Sequence, residues 1–150
     1  MPSVAVSQAI ACKDTEALYA LIKDMERFPS FMPDLVGVRV VERGENRTVT
    51  AWEAKVDGLT LRWKEEDLFD EAGLRISYRQ IEGDLKRFEG AWQIAPIEGG
   101  ARVELTAEFD LGIPMIAPLV EPLLTRRIEE NCRGMLCAIE AELGRRGQVR

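Results

Sequence analysis

Histidine does not occur in these 150 residues. Its absence removes imidazole general bases, Ser-His and Cys-His nucleophile activation, and the commonest zinc ligand at once. Any chemistry has to run on carboxylates, Tyr, Lys, Arg or Cys. Cysteine is scarce as well: Cys12, Cys132 and Cys137 are an odd set with no pairing logic, and the last two match no metal-ligand spacing. They read as reduced, buried, small apolar residues, and no metal is expected. A Gly-rich phosphate motif is also missing, so no cofactor is expected. Positive charge is in deficit, with a formal net charge of −6, which argues against nucleic acid as a partner. Arg126-Arg127 and the tail residues Arg145, Arg146 and Arg150 are local exceptions, and basic residues at a helix C-terminus complement its dipole. No run reaches ~18 consecutive apolar residues, so no membrane span is expected. Met1-Pro2-Ser3-Val4 passes directly into a strand pattern, without a basic region and apolar run before it. A cytoplasmic location is the expectation.

What is present suits one domain over residues 1–150, with no repeats, linkers or low-complexity segments. Ser3 to Ile10 alternates as a strand does, with Val4, Val6 and Ile10 on one side. Residues 14–25 change to helical spacing, with Leu18, Leu21, Ile22 and Met25 on one face. A short second helix or turn follows in Glu26-Arg27-Phe28-Pro29-Ser30-Phe31-Met32-Pro33, with Pro29 suited to its start and Pro33 to its end. Six strands are then predicted at roughly 35–43, 47–57, 59–70, 73–81, 86–97 and 101–111. Between them stand Arg43-Gly44-Glu45-Asn46, Asp57-Gly58, Glu71-Ala72-Gly73, Glu82-Gly83-Asp84 and Glu98-Gly99-Gly100, each offering Gly, Asn or Asp where a tight connection needs φ > 0. The last segment is a long amphipathic helix, with apolar residues from Ile116 through Leu119, Leu123, Ile128, Cys132 and Leu136 to Leu143. Arg126–Glu130 and Glu129–Arg133 are i,i+4 pairs on its outer side. Pro114, Pro118 and Pro122 predict a separate turn or a kink at its beginning.

A strand's period of two assigns the faces. One face collects Phe88, Gly90, Trp92 and Ile94 from one strand, and Val103, Leu105, Ala107 and Phe109 from the next. The preceding strand adds Ile76 and Tyr78, and the 47–57 strand adds Thr50, Trp52, Ala54 and Val56. In 59–70 the same parity holds Leu61, Trp63, Glu65, Asp67 and Phe69. Any single Trp reads as core packing, but three on the concave face of a bent sheet read as a lined pocket. Glu65 and Asp67 leave two readings open, an exposed acidic run at a strand end or carboxyls facing the cavity. An acid in an apolar pocket has a raised pKa and can donate a hydrogen bond to a carbonyl or quinone oxygen.

Three stretches carry a family resemblance. Asp24-Met25-Glu26-Arg27-Phe28-Pro29-Ser30-Phe31-Met32-Pro33 resembles the helix-turn signature of the polyketide cyclase/dehydrase and coenzyme Q-binding families. Glu82-Gly83-Asp84-Leu85-Lys86-Arg87-Phe88-Glu89-Gly90-Ala91-Trp92 resembles their later Gly-x-Trp strand. Arg102-Val103-Glu104-Leu105, followed by Leu111-Gly112-Ile113-Pro114, resembles their last strand and the approach to the closing helix. Arg62-Trp63-Lys64-Glu65-Glu66 is similar to a motif of small uncharacterised bacterial members. The resemblance covers essentially the whole chain and points to the START-like, helix-grip superfamily. It implies an α+β fold, β-α-α-β6-α, in which a curved antiparallel seven-stranded sheet wraps a long C-terminal helix around an apolar cavity. It also implies three classes of function: polyketide aromatase/cyclases, lipid and quinone carriers, and modulators that bind a protein partner. In the aromatase/cyclases an arginine enters the cavity from the strand corresponding to 59–70. Here that position falls on Asp67, while Arg62 has the outer parity, which weakens the cyclase reading.

The first expectation is therefore a binding protein for a hydrophobic or aromatic small molecule such as a lipid, quinone or polyketide. Its candidate ligand-binding residues are Phe28, Phe31, Met32, Trp52, Trp63, Tyr78, Trp92, Phe109, Leu119 and Leu123. The alternative is a polyketide aromatase/cyclase-dehydratase in which Glu65 or Asp67 and Tyr78 move protons. A protein-interaction module is the third reading, with the outer strands or Phe28-Phe31-Met32 docking a partner.

Overall fold

The computed structural model describes residues 2–56, 58–113, 115 and 117–148. Asp57 of the Asp57-Gly58 turn, Pro114 and Ile116 before the last helix, and Arg150 of the tail lie outside the described residues. The first alternating segment forms β1 (Ser3–Ile10), with Val4, Val6 and Ile10 buried. The helical spacing after it forms α1 (Thr15–Lys23). Asp14 caps this helix by accepting from the Ala17 N–H at 3.0 Å, which satisfies one donor of the first turn. Met25, read as the end of that helix, instead starts a 3-10 helix at Met25–Ser30. Pro29 sits inside this helix and does not begin it, because its fixed φ fits a 3-10 turn.

Six more strands follow: β2 (Leu35–Gly44), β3 (Arg47–Val56), β4 (Leu59–Asp70), β5 (Arg75–Gly83), β6 (Arg87–Ile97) and β7 (Gly100–Asp110). Asn46, Gly58 and Gly99 take φ of 54°, 80° and 83° in the connections, as the turn residues require. The β4–β5 connection differs, because Leu74 and not Gly73 takes the positive φ, 52°. Gly73 is needed there for closeness. Its N–H donates to Asp70 Oδ1 at 3.0 Å, and a Cβ would meet the other oxygen of that carboxylate at 2.4 Å.

The strands form one antiparallel sheet in the order β1-β7-β6-β5-β4-β3-β2. β1 and β2 thus lie at opposite edges, and α1 with the 3-10 helix carries the chain from one to the other. Register shifts between Leu35 and Gly37, Val40 and Glu42, and Lys64 and Glu65 bend this half of the sheet.

α2 spans Ala117–Arg145 as one helix that contains Pro122, with no separate turn before it among the described residues. Pro118 lies in the first turn, where a missing N–H has no intrahelical partner to lose. Pro122 forfeits only the bond to the carbonyl of Pro118, and both prolines are exposed. The helix packs chiefly on β1, with lighter contact to α1 and β7. Ile128, Cys132, Leu136, Ile139 and Leu143 form its buried stripe. Glu129 pairs with Arg133 at 3.5 Å, whereas Glu130 takes Arg127 at 3.1 Å in place of Arg126. All three cysteines are free; Cys12 and Cys132 are buried as expected, whereas Cys137 is exposed, its Sγ 3.6 Å from Gln8 Oε1 of β1. This is the helix-grip architecture.

A cavity between the sheet and the last helix

Inward-facing residues of β3 through β7 and the middle of α2 enclose a cavity of about 190 Å³. Trp52 and Trp63 are direct partners in the β3–β4 register, so their rings meet on the concave face. They stack at 5.5 Å with planes 9° apart, and Phe88 stands edge-on to Trp63 at 5.7 Å. Such aromatic pairs favour these geometries and make a flat, apolar wall.

Glu65 and Asp67 follow on the same face of β4, at 4% and 0% exposure. The reading as an exposed acidic run is thereby overturned. Strand parity divides the run: only Glu66 points outward, where Arg47 at 2.7 Å and Arg79 at 3.2 Å hold its carboxyl below the usual range. The two inward acids sit in a hydrogen-bonded network. Trp63 Nε1 donates to Glu65 Oε1 at 2.8 Å. Thr50 and Thr48 donate their hydroxyls to Asp67 Oδ2 at 2.6 and 3.2 Å, and Trp52 Nε1 donates to Thr50 Oγ1 at 2.7 Å. Burial, then the hydrogen bond with Asp67 and its charge, push the Glu65 carboxyl well above its ordinary pKa, against the pull of Trp63. Asp67 is also raised by burial, opposed by its bonds from Glu65, Thr50 and Thr48. Ionisation of one carboxyl opposes ionisation of the other, and Glu65 is raised the further of the two.

Tyr78 reaches across β6 to donate its hydroxyl hydrogen to the Thr106 carbonyl at 2.6 Å. Gly90 makes the crossing possible, since a Cβ there would lie 1.9 Å from that carbonyl oxygen and 2.6 Å from the Tyr78 hydroxyl. Burial raises the phenol well above 10, helped by the charges of Cys132 and Glu65. Its hydroxyl hydrogen is committed to the Thr106 carbonyl.

The cavity brings together Met32, Trp52, Trp63, Glu65, Tyr78 and Trp92 of the sequence candidates. Phe28 and Phe109 are fully buried behind the lining, Phe28 packing against Trp52 and Trp92 at 6.0 Å. Phe31 packs on Phe28 outside the lining, and Asp67 lies behind Glu65. Leu119 and Leu123 are 80% and 52% exposed and do not reach the cavity. In their place α2 contributes Ile128, Asn131, Cys132 and Met135. These were missed although they continue the same helical stripe, because periodicity gives a helix its phase without saying which turns lie over the sheet. Arg62 is at the mouth, 68% exposed and bonded to Glu53 at 3.0 Å. Among the described residues no three His, Cys, Asp or Glu side chains gather as a metal site.

The profile of the family described as polyketide cyclase/dehydrase and lipid transport matches residues 13–136. The ribosome association toxin RatA of Vibrio cholerae is 27% identical over 109 residues, 72% of this chain and 75% of that protein. TTHA0849 of Thermus thermophilus is 33% identical, with a TM-score of 0.88 over 93% of this chain and 95% of that one. The Zhui aromatase/cyclase of a Streptomyces species superposes equally well, at 0.88 over 97% and 94%, but at 20% identity it establishes the fold alone.

Proposed function

Because this chain belongs to the polyketide cyclase/dehydrase and lipid transport family, we propose that its cavity binds a flat hydrophobic or aromatic small molecule of quinone, lipid or polyketide type. One START-like domain over residues 1–150 carries that function, in the cytoplasm and without nucleic acid, metal or cofactor. The observation that carries this reading is the stacked Trp52–Trp63 wall facing Met135 and Ile128 of α2 across the cavity. Apolar walls with a few placed polar groups are what small-molecule sites are made of. Titration with a naphthoquinone tests it by quenching of indole emission in the micromolar range, ~10⁻⁶ M, a typical strength for partial burial. Trp63→Leu should weaken the effect while leaving the fold intact. Probes that never alter the emission of folded protein would sink the proposal.

One observation favours a second reading, cyclase/dehydratase catalysis. Glu65 is a buried carboxyl in an apolar cavity, raised well above its ordinary pKa, as general acids are. Turnover of a poly-β-ketone analogue, falling by ~10²-fold or more in Glu65→Gln while binding persists, would establish it. A protein partner has its own support in the name of the RatA relatives and in the exposed Met115, Leu119 and Leu123.

A further inference from the structure

Four polar side chains around the cavity turn a hydrogen into the protein. Tyr78 donates to the Thr106 carbonyl and Gln80 Nε2 to the Leu85 carbonyl, both at 2.6 Å. The Trp63 and Trp52 N–H groups are taken by Glu65 and Thr50. The acids obey the same pattern. Asp67 Oδ2 receives two threonine hydroxyls, whereas Asp67 Oδ1 is buried with no hydrogen-bond partner among the described residues. A buried carboxylate oxygen left in that state bears its full desolvation cost. The hydrogen of a protonated Glu65 removes that cost, and burial of both groups favours the same arrangement. In that arrangement, with its hydrogen directed to Asp67 and its Oε1 bonded by Trp63, Glu65 would have only lone pairs left for the cavity. Tyr78, having given its hydrogen to Thr106, likewise presents an oxygen acceptor. The donors that remain in the lining are the second Gln80 N–H, the weak Cys132 S–H, the Asn131 amide (which acts in either sense) and, at the mouth, Arg62.

We propose that this cavity selects an uncharged aromatic ligand bearing a hydroxyl, which donates its hydrogen to Glu65, and that it rejects aromatic carboxylates. The proposal rests on the small-molecule reading above and specifies the ligand's chemistry. A ligand carbonyl at this position would set lone pairs against lone pairs. A carboxylate would bring a second negative charge beside an acid pair that already holds one, with the Arg62 guanidinium out at the solvent-facing mouth.

Three probes of one shape decide it by calorimetry at pH 7 on the wild-type chain: 2-naphthol, its methyl ether 2-methoxynaphthalene, and 2-naphthoate. The naphthol should bind about tenfold more tightly than the ether, the worth of one well-made hydrogen bond. The naphthoate should bind more weakly than either. In Glu65→Leu the preference for naphthol over its ether should collapse toward unity, and if that variant does not fold the wild-type comparison still decides. Equal affinity for naphthol and ether in the wild type, or naphthoate as the tightest of the three, overturns the hydroxyl assignment and leaves the binding reading standing. No binding by any of the three overturns both.

Discussion

Glu65 illustrates how one side chain can oppose the stability of the fold that contains it. Its folded pKa is raised above the ordinary 4.5, so the folded state prefers it protonated. The sign follows by linkage. Its contribution is fully present below the ordinary carboxylate pKa and is lost as pH rises through the raised value. Glu65→Gln removes this titration and keeps both bonds, the amide oxygen accepting from Trp63 and the amide nitrogen donating to Asp67. The variant should therefore melt higher than wild type at pH 8 and show little or no gain near pH 4. Paired thermal melts across that range test it, and a difference independent of pH would refute it. Gly90 is intolerant of a side chain. Since its missing Cβ would meet backbone at 1.9 Å, Gly90→Ala should lie at the upper end of the ~1–3 kcal/mol of overpacking, or beyond it. Adding Tyr78→Phe should not rescue it, because the nearest atom is the Thr106 carbonyl oxygen. Denaturant melts of the single and double variants provide the check.

Among the elements, α2 behaves as two pieces joined end to end. From Ile128 onward it buries a stripe against the sheet, while Leu119, Val120 and Leu123 leave its first turns with apolar side chains in solvent. Pro122 takes a hydrogen bond from the same part. Amide exchange should accordingly be fast over 118–125 and slow over 128–143, and uniform protection would contradict this division. The double change Leu119→Ser, Leu123→Ser should alter stability by no more than about 0.5 kcal/mol, as surface changes do. It should leave naphthoquinone affinity unchanged, whereas Met135→Ala, which opens the cavity wall, should weaken it. Titrations of the two variants side by side would reverse the lining assignment if their effects were exchanged.

In the molecule as a whole, the two ends of the chain depend on each other. β1 pairs with β7 from Ser3–Glu108 to Ile10–Ala101, and α2, which lines the cavity, rests on β1. A ligand enclosed by that assembly binds the native state alone, and its effect on the midpoint follows mass action, about 2.7 kcal/mol at a hundred times Kd. The aromatic probe should raise the melting temperature in proportion to the logarithm of its concentration. Mg²⁺ and Zn²⁺ should leave it unchanged, because the described residues contain no cluster of metal-ligating side chains, and so should NADPH, because the sequence carries no Gly-rich phosphate motif. A shift of several degrees with any of the three would count against the proposed function.

Much of this architecture is legible before folding, because it depends on local periods. Alternation in Val103–Phe109, turn residues such as Asn46 and Gly58, and the 3–4 stripe of the last helix each reflect one residue's geometry relative to its near neighbours. The order of elements and the inward parity of Trp52, Trp63 and Trp92 follow from those periods alone. Depth and pairing between distant segments do not. Glu65-Glu66-Asp67 has one composition and two environments, and only the strand's place in a bent sheet buries two of its acids. Leu123 and Ile128 belong to one helical stripe, but the first lies in solvent and the second over the cavity, because phase repeats along a helix and coverage does not. Phe109 has the inward parity of a ligand contact and becomes core, since the neighbouring elements close over it. That Asp67 Oδ1 is buried without a hydrogen-bond partner beside Glu65 also emerges only in three dimensions.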